Sequence, residues 1–324
     1  MYSGQAAIDY LATAATKNDP AASSHWQKYH SKFKFTGQNF EGLQGFGGRE
    51  KQAQGLHLWF LKLLQRRFRR FGDAYAKFID VDMLASGVVS KQRRVYDLDV
   101  LRQALTISFL HSSSPGKFTQ NTTCCVIGDG FASLSTLLLA SKSAGRVVLV
   151  NLTKTLLVDL WYLKLWMGAE KFETSVDLVV DAAGLARALE QSKSRADGAQ
   201  QIIAIQASDH KLLQNCPVDV VLNIASMQEM DPPVVEAYFD DMRAIAIKRD
   251  LLFYCCNREE KKLPDGTVTR FADYPWRDDD QILVDGLCAW HQYYYSIRPP
   301  FYRPYDGPHM HRLVTFHANT SAFK

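Results

Sequence analysis

Three things are scarce in this 324-residue sequence: cysteines at chelating spacing, long apolar runs and charge of one sign. The six cysteines include no Cys-x-x-Cys, and Cys124-Cys125 and Cys255-Cys256 are adjacent pairs whose side chains point to opposite faces if they lie in strands. We therefore expect reduced thiols used as small core residues, and no metal site. The most apolar stretch, around 134–140, is far shorter than the roughly 20 residues a bilayer needs, so no membrane span is expected. The first ten residues lack a basic segment followed by an apolar one, which argues against a secretory signal and for a cytoplasmic location. With 38 basic and 34 acidic residues, the net charge of +4 gives no reason to expect nucleic acid as partner. No internal repeat or low-complexity tract is present. What remains is a globular chain with 47% hydrophobic residues, ample for a sizeable core.

One stretch organises the rest. Cys124 to Ile127 is a short apolar run that Gly128-Asp129-Gly130 breaks with residues tolerant of positive φ. From Phe131 to Ser143 the spacing of Leu134, Leu137 and Leu138 is helical, Gly145 stops it, and the β-branched run Val147 to Val150 follows. This βαβ unit leaves backbone N–H groups and a helix N-terminus at the carboxyl end of a parallel strand, where nucleotide-like ligands bind. A helix over Lys154 to Gly168 and further strands at Gln201 to Gln206, Val218 to Ile224 and Leu251 to Cys256 follow. Between them, 171–198 reads as a crossover with a helical segment near Leu185 to Ser194 and a surface loop. Leu287 to Ile297 and Arg312 to His317 could pair as an antiparallel hairpin around the proline-rich 298–308.

Upstream, residues 1–19 read as a short helix, and 20–55 as an irregular cover with Gly42, Gly45, Gly47 and Gly48. Phe60, Leu64, Phe68, Phe71, Tyr75 and Phe78 recur at steps of three and four and predict one helix from Leu56 to Ile79, with Arg66, Arg67, Arg69 and Arg70 on its solvated flank. A second helix from Asp97 to Leu110 ends in the connector Ser112 to Gly116. The boundary is placed there, giving a helical N-terminal extension or cover (1–115) and a ligand-binding domain (116–324). The aromatic stripe would pack on its own domain or on a second subunit, making a homo-oligomer.

Five parallel strands followed by an antiparallel pair is the arrangement of class I S-adenosylmethionine-dependent methyltransferases; dinucleotide dehydrogenases usually run six parallel strands. Four segments resemble the sugar O-methyltransferase family of bacterial glycan clusters, over roughly residues 97–317: Val-Ile-Gly-Asp-Gly-Phe (126–131), Leu-Val-Asn-Leu-Thr-Lys-Thr-Leu-Leu (149–157), Leu-Trp-Tyr-Leu (160–163) and Asn-Ile-Ala-Ser-Met-Gln-Glu-Met (223–230). The resemblance implies an α/β fold, a Rossmann-like, doubly wound, mostly parallel seven-stranded sheet with a terminal antiparallel hairpin, plus the N-terminal helical extension. It implies S-adenosylmethionine as cofactor and a sugar or glycan as acceptor. Gly128 and Gly130 would let the backbone approach the methionine moiety, with Asp129 beside it. Asn151 and Leu152 would take the ribose position. Ala207 and Ser208 would flank the adenine, and Asn223, Ile224, Ala225 and Ser226 would form the opposite wall. The chain departs from the family's pattern at Asn151, where a carboxylate normally accepts both ribose hydroxyls, and at Val126, where an acid is often found.

Methyl transfer is an in-line displacement at a sulfonium carbon, so a sugar hydroxyl must be aligned opposite sulfur and relieved of its proton. Glu229, directly after the fourth strand, is the preferred base, Gln228 would orient the hydroxyl, and His210 is the second choice of base. Asp278-Asp279-Asp280 with His291 or the His309/His311 pair could hold Mg²⁺, although consecutive aspartates more often form a solvated loop. Aromatics at Tyr274-Pro275-Trp276, Tyr293-Tyr294-Tyr295 and Phe301-Tyr302 could stack on sugar faces. Two rival readings stand beside the methyltransferase: a repurposed binding protein that has lost the carboxylates, and a nicotinamide-dependent oxidoreductase. The second is disfavoured because Gly128-x-Gly130-x-x-Ser133 lacks the third glycine.

Overall fold

The computed structural model describes residues 1–43, 55–193 and 199–318; Gly45, Gly47 and Gly48 lie outside them. Its main sheet contains β1 (Tyr2–Ser3), β2 (Thr123–Ile127), β3 (Arg146–Asn151), β4 (Val176–Val179), β5 (Gln201–Gln206), β6 (Val220–Ile224), β7 (Leu251–Arg258), β8 (Gln281–Leu287) and β9 (His309–Phe316). The spatial order is β1-β4-β5-β3-β2-β6-β7-β9-β8. From β4 to β7 all neighbours are parallel. β9 runs antiparallel to β7, and β8 to β9, while β1 caps the other edge antiparallel to β4.

Period-two alternation decides which side chain enters which layer. Cys124, Val126, Val147, Leu149 and Cys256 join one apolar cluster; Cys125, Ile127, Val148, Val150 and Cys255 join the other. The first layer is closed by α1 (Gln5–Ala14), α4 (Phe78–Lys91), α5 (Leu98–Ser113), α6 (Ser133–Ala140) and α7 (Thr153–Met167), which bury Ile8, Ala85, Leu101, Leu138 and Leu157. The second is closed by α9 (Ala182–Lys193) and α10 (Pro232–Ala246), through Leu185, Ala188, Tyr238 and Phe239. Helices on both faces of a mostly parallel sheet make the architecture doubly wound. Two more helices, α2 (Ser24–His30) and α3 (Gly55–Arg69), flank the cleft and the tyrosine-rich tail, and α8 (Ala169–Ser175) leads into β4. All six cysteines are free and buried. Among the described residues no helix is long and apolar enough to cross a membrane.

Three expectations are corrected. Among the described residues the main sheet has nine strands, not seven: β4 is a four-residue run containing Asp177, too short to carry a periodic signal, and the edge strand β1 is only two residues long. The partner of the last strand is β8, not the Leu287 to Ile297 segment; Tyr293–Tyr295 pairs instead with Tyr302–Pro304 in a separate ribbon. As an outer strand, β8 leaves most of its residues exposed and so lacks the burial pattern that marks a strand in a sequence. The single helix over Leu56 to Ile79 is broken: α3 ends at Arg69, a 3-10 turn spans Arg70–Ala74, and α4 starts at Phe78. A Cβ on Gly72 would fall 2.1 Å from the Phe78 ring, so glycine lets the chain fold back on itself here. The stripe still finds partners, Phe68 against Tyr295 and Tyr302 and Phe60 against Phe301.

Candidate functional site

From β2 the chain proceeds to β3 on one side and later returns to β6 on the other, so the carboxyl ends of β2 and β6 border a topological switch point. Gly128 sits at that border with φ 73°, and a Cβ there would fall 1.9 Å from Ser226 Oγ. Gly130, Phe131 and Ala132 also take positive φ (73°, 58° and 47°), so the turn extends further than its glycines, and α6 begins only at Ser133. Buried acids hold this coil. Asp129 accepts the N–H groups of Leu134 and Ser135 at 2.8 and 2.7 Å, and Asp159 accepts that of Ala132 at 2.7 Å. The helix N-terminus expected to face a ligand is thus satisfied from within by Asp129. The Arg94 guanidinium lies 4.2 Å over the Phe131 ring and donates to Ser133 Oγ at 2.7 Å.

These loops enclose a cleft of about 280 Å³ at the strand ends, near the lower end for small-molecule sites. Gly128, Asp129, Gly130, Asn151, Leu152, Ala207, Ile224, Ala225, Ser226, Gln228 and Glu229 all line it. Ser208, Asn223 and His210 do not. Asn223 is fully buried beneath the wall, donating to Ile127 O at 2.9 Å and accepting from Met227 N–H and Asn257 Nδ2, so it ties the end of β6 to β2. His210 Nδ1 lies 2.5 Å from buried Asp241, outside the cleft. Ser208 is exposed. Asn151 reaches the cleft with both polar groups engaged: its amide nitrogen donates to Asp159 Oδ2 at 2.8 Å and its oxygen accepts from Leu152 N–H at 3.0 Å.

The rest of the cleft comes from the expected N-terminal cover and from the C-terminal part of the chain, where His291 and His309 were candidates but Arg94, Arg102, Arg258 and Tyr305 were not. Arg94, Asp99 and Arg102 approach from the helical N-terminal part, Trp26 from α2, Arg258 from the end of β7, and His291, Tyr305 and His309 from the tail. Arg102 is buried and spends its guanidinium on Trp290 O (3.1 Å), Asp99 (2.9 Å), Tyr305 Oη (2.6 Å) and Tyr293 O (2.6 Å). A charged residue among the buried apolar positions of α5, like Asp159 among those of α7, was the one available signal. The other aromatics serve packing: Tyr274 and Trp276 join the second apolar layer, and Arg67 stacks on Tyr293 and Tyr302. The aspartate run does not assemble with the histidines, because Asp280 pairs with Arg243 and caps Arg277 N–H. The Mg²⁺ arrangement is therefore not formed.

Electrostatics separate the acids of the cleft and of the layer beneath it. Burial, reinforced by the Asp129 charge, pushes Asp159 well above the usual carboxylate range, and burial raises Asp129 too. For Glu229 burial alone would also raise the pKa, but the hydrogen bond from His25 and the Lys261 charge outweigh it and hold it below the ordinary 4.5. Its Oε1 lies 2.6 Å from Lys261 Nζ and 3.3 Å from His25 Nε2. Glu229 is thus a carboxylate at working pH.

Burial, with the Arg102 and Arg258 charges, lowers His309 to about 3, and burial takes His30 and His311 to about 4. Each binds a proton near 6.5 when unfolded and only at far lower pH when folded. Each therefore contributes stability that is complete above the unfolded value and is lost as pH falls from there toward the folded one. For one such histidine the loss is about 1.4 kcal/mol between about pH 7.5 and 5.5. Urea unfolding at these two pH values should show His309→Gln losing less stability on acidification than the parent chain by about that amount; equal losses would show that His309 is not held neutral.

No protein-family model matches the chain, and no curated protein matches its sequence. Among solved structures, the chain is 10% identical to a protein of echinomycin biosynthesis that converts a disulfide bond into a thioacetal group, over 66% of this chain and 82% of that one, with TM-score 0.38. It is 11% identical to M. capricolum TrmK in complex with S-adenosyl-homocysteine, over 65% and 68%, with TM-score 0.35. A mutant of MtNAS covers 96% of this chain and is itself 97% covered, at 10% identity and TM-score 0.35. These overlaps are too loose to transfer an activity.

Proposed function

We propose that this chain is an S-adenosylmethionine-dependent O-methyltransferase acting on a hydroxyl of a sugar or related polyol. One observation carries the reading: a glycine turn of left-handed backbone opens into a cleft at the switch point of a sheet that ends in an antiparallel β7-β9-β8 arrangement. The same ending disfavours a nicotinamide-dependent oxidoreductase; the count of parallel strands does not, because β4 raises it from the expected five to six.

In this reading the cofactor supplies a methyl group on a sulfonium centre. Gly128 and Gly130 let backbone approach its methionine end, Asn151 and Leu152 border the ribose, Ala207 flanks the adenine, and Ile224 to Ser226 form the facing wall, with Asn223 bracing it from below. The N-terminal segment 1–115 acts as a cover, since Trp26, Arg94 and Arg102 face the cleft. Glu229 accepts a hydrogen bond from the acceptor hydroxyl, keeps its oxygen aligned, and passes the proton to solvent as the O–CH₃ bond forms and the S–CH₃ bond breaks. Gln228, whose Oε1 accepts from Arg258 N–H at 2.7 Å, offers its amide NH₂ beside it. A carboxylate held below the usual range orients a hydroxyl better than it keeps its proton.

Isothermal titration calorimetry with S-adenosylmethionine and S-adenosylhomocysteine, on the full chain stripped of cofactor, tests this. We expect binding, weakened about tenfold in Asn151→Ala as one polar contact worth about 1–2 kcal/mol is lost. Glu229→Gln should then lower methyl transfer to sugars by on the order of 100-fold while leaving cofactor affinity unchanged. No heat from folded protein would sink the proposal. It would favour a repurposed binding protein, a reading supported by the amide of Asn151 being already engaged by Asp159.

A further inference from the structure

Cys256 on β7, Cys288 just beyond β8 and His291 in the short 3-10 turn Ala289–His291 converge in the first apolar layer. Their ligand atoms all lie within 4.8 Å of one another, and all three residues are buried. Among the described residues no other three His, Cys, Asp or Glu side chains come together in this way. A second observation points to a ligand. His291 Nε2 is buried without a hydrogen-bond partner, a condition that costs about 1–3 kcal/mol when nothing compensates it.

We propose that Cys256, Cys288 and His291 form a binding site for a thiophilic divalent cation of the zinc class. Two sulfurs and one imidazole are a donor set that selects such ions over Mg²⁺ or Ca²⁺, which take oxygen. Tetrahedral zinc with Zn–S bonds of about 2.3 Å places two sulfurs about 3.8 Å apart. The observed spacing therefore needs only side-chain adjustment. The cation would be held by the two sulfurs as thiolates and by the neutral imidazole, and the two thiol protons would be released to solvent on binding. Three protein ligands leave a fourth position to water or to a bound hydroxyl. Because His291 lines the cleft beside His309 and Arg258, the cation would border the half that the methyl-transfer reading gives to the acceptor. Only this role rests on that reading; the binding does not.

Anaerobic titration of the reduced full chain with Co²⁺ tests the site directly. A saturable near-ultraviolet thiolate-to-cobalt band, displaced by Zn²⁺, is expected in the parent chain and in Cys255→Ala, whose thiol lies on the other face of β7. The apparent Kd should rise at least about 100-fold in Cys288→Ala, about 2.7 kcal/mol. Because that variant could misfold, thiol alkylation of the parent chain in urea concentrations that open its buried cysteines, read by mass spectrometry, gives a second measure: Zn²⁺ should slow modification of Cys256 and Cys288 more than that of Cys216. Absence of the band from folded parent protein, its persistence in folded Cys288→Ala, or alkylation indifferent to Zn²⁺ would overturn the site. A cobalt band without S-adenosylmethionine binding would defeat the methyl-transfer reading alone, and the reverse result would defeat only the metal site.

Discussion

Gly128→Ala is expected to lower S-adenosylmethionine affinity by at least about 100-fold, about 2.7 kcal/mol, while the sheet stays folded. Two separate penalties add. At φ 73° an L-residue carries a left-handed backbone cost of about 1–2 kcal/mol that glycine avoids. The new methyl group would also sit 1.9 Å from Ser226 Oγ and 2.6 Å from its Cβ, so the loops after β2 and β6 must part where the cofactor is proposed to lie. Adding Ser226→Gly should relieve the collision and leave the backbone cost, giving a partial recovery measurable by the same calorimetry. An unchanged affinity in folded Gly128→Ala would show that this turn does not hold the cofactor.

Arg102→Ala should be the most destabilising single change in the opposite wall. The guanidinium is buried and holds the Trp290 and Tyr293 carbonyls, the Tyr305 hydroxyl and Asp99, joining α5 to the tail across a long stretch of sequence. Truncation leaves the Trp290 and Tyr293 carbonyls and the Tyr305 hydroxyl without this donor, while half-exposed Asp99 turns to solvent, a loss of about 2–4 kcal/mol. For a chain of this length that lowers the melting temperature by about 5 °C. Arg102→Lys keeps the charge but reaches fewer of the four partners and should recover only part of it. A melting temperature within a degree of the parent value would mean that the tail is held by its aromatic contacts instead.

Local signals made the centre of this protein readable. Val126 and Ile127 before Gly128-Asp129-Gly130, and Val147 to Val150 before Asn151, are buried on both faces and sharply terminated, and these strand ends line the cleft. Asp97 also marks the start of α5 by accepting the N–H groups of Asp99 and Val100. The periphery was less legible: β8 is an exposed edge, β4 is too short to show a period, and the break after α3 turns on Gly72 meeting Phe78.

By itself the sequence determined the parallel strands at its centre, the glycine turn and the apolar helices that cover the sheet, because burial patterns and backbone preferences act over a few neighbouring residues. The tertiary structure alone decided that Asp129 caps α6 rather than facing a ligand, that Asp159 braces Asn151, and that Glu229 is held charged by His25 and Lys261. It also decided that Cys256, Cys288 and His291 meet although no chelating motif links them. These outcomes depend on pairing between distant segments, and a side chain's charge, partner and solvent access are set only when the sheet brings those segments together.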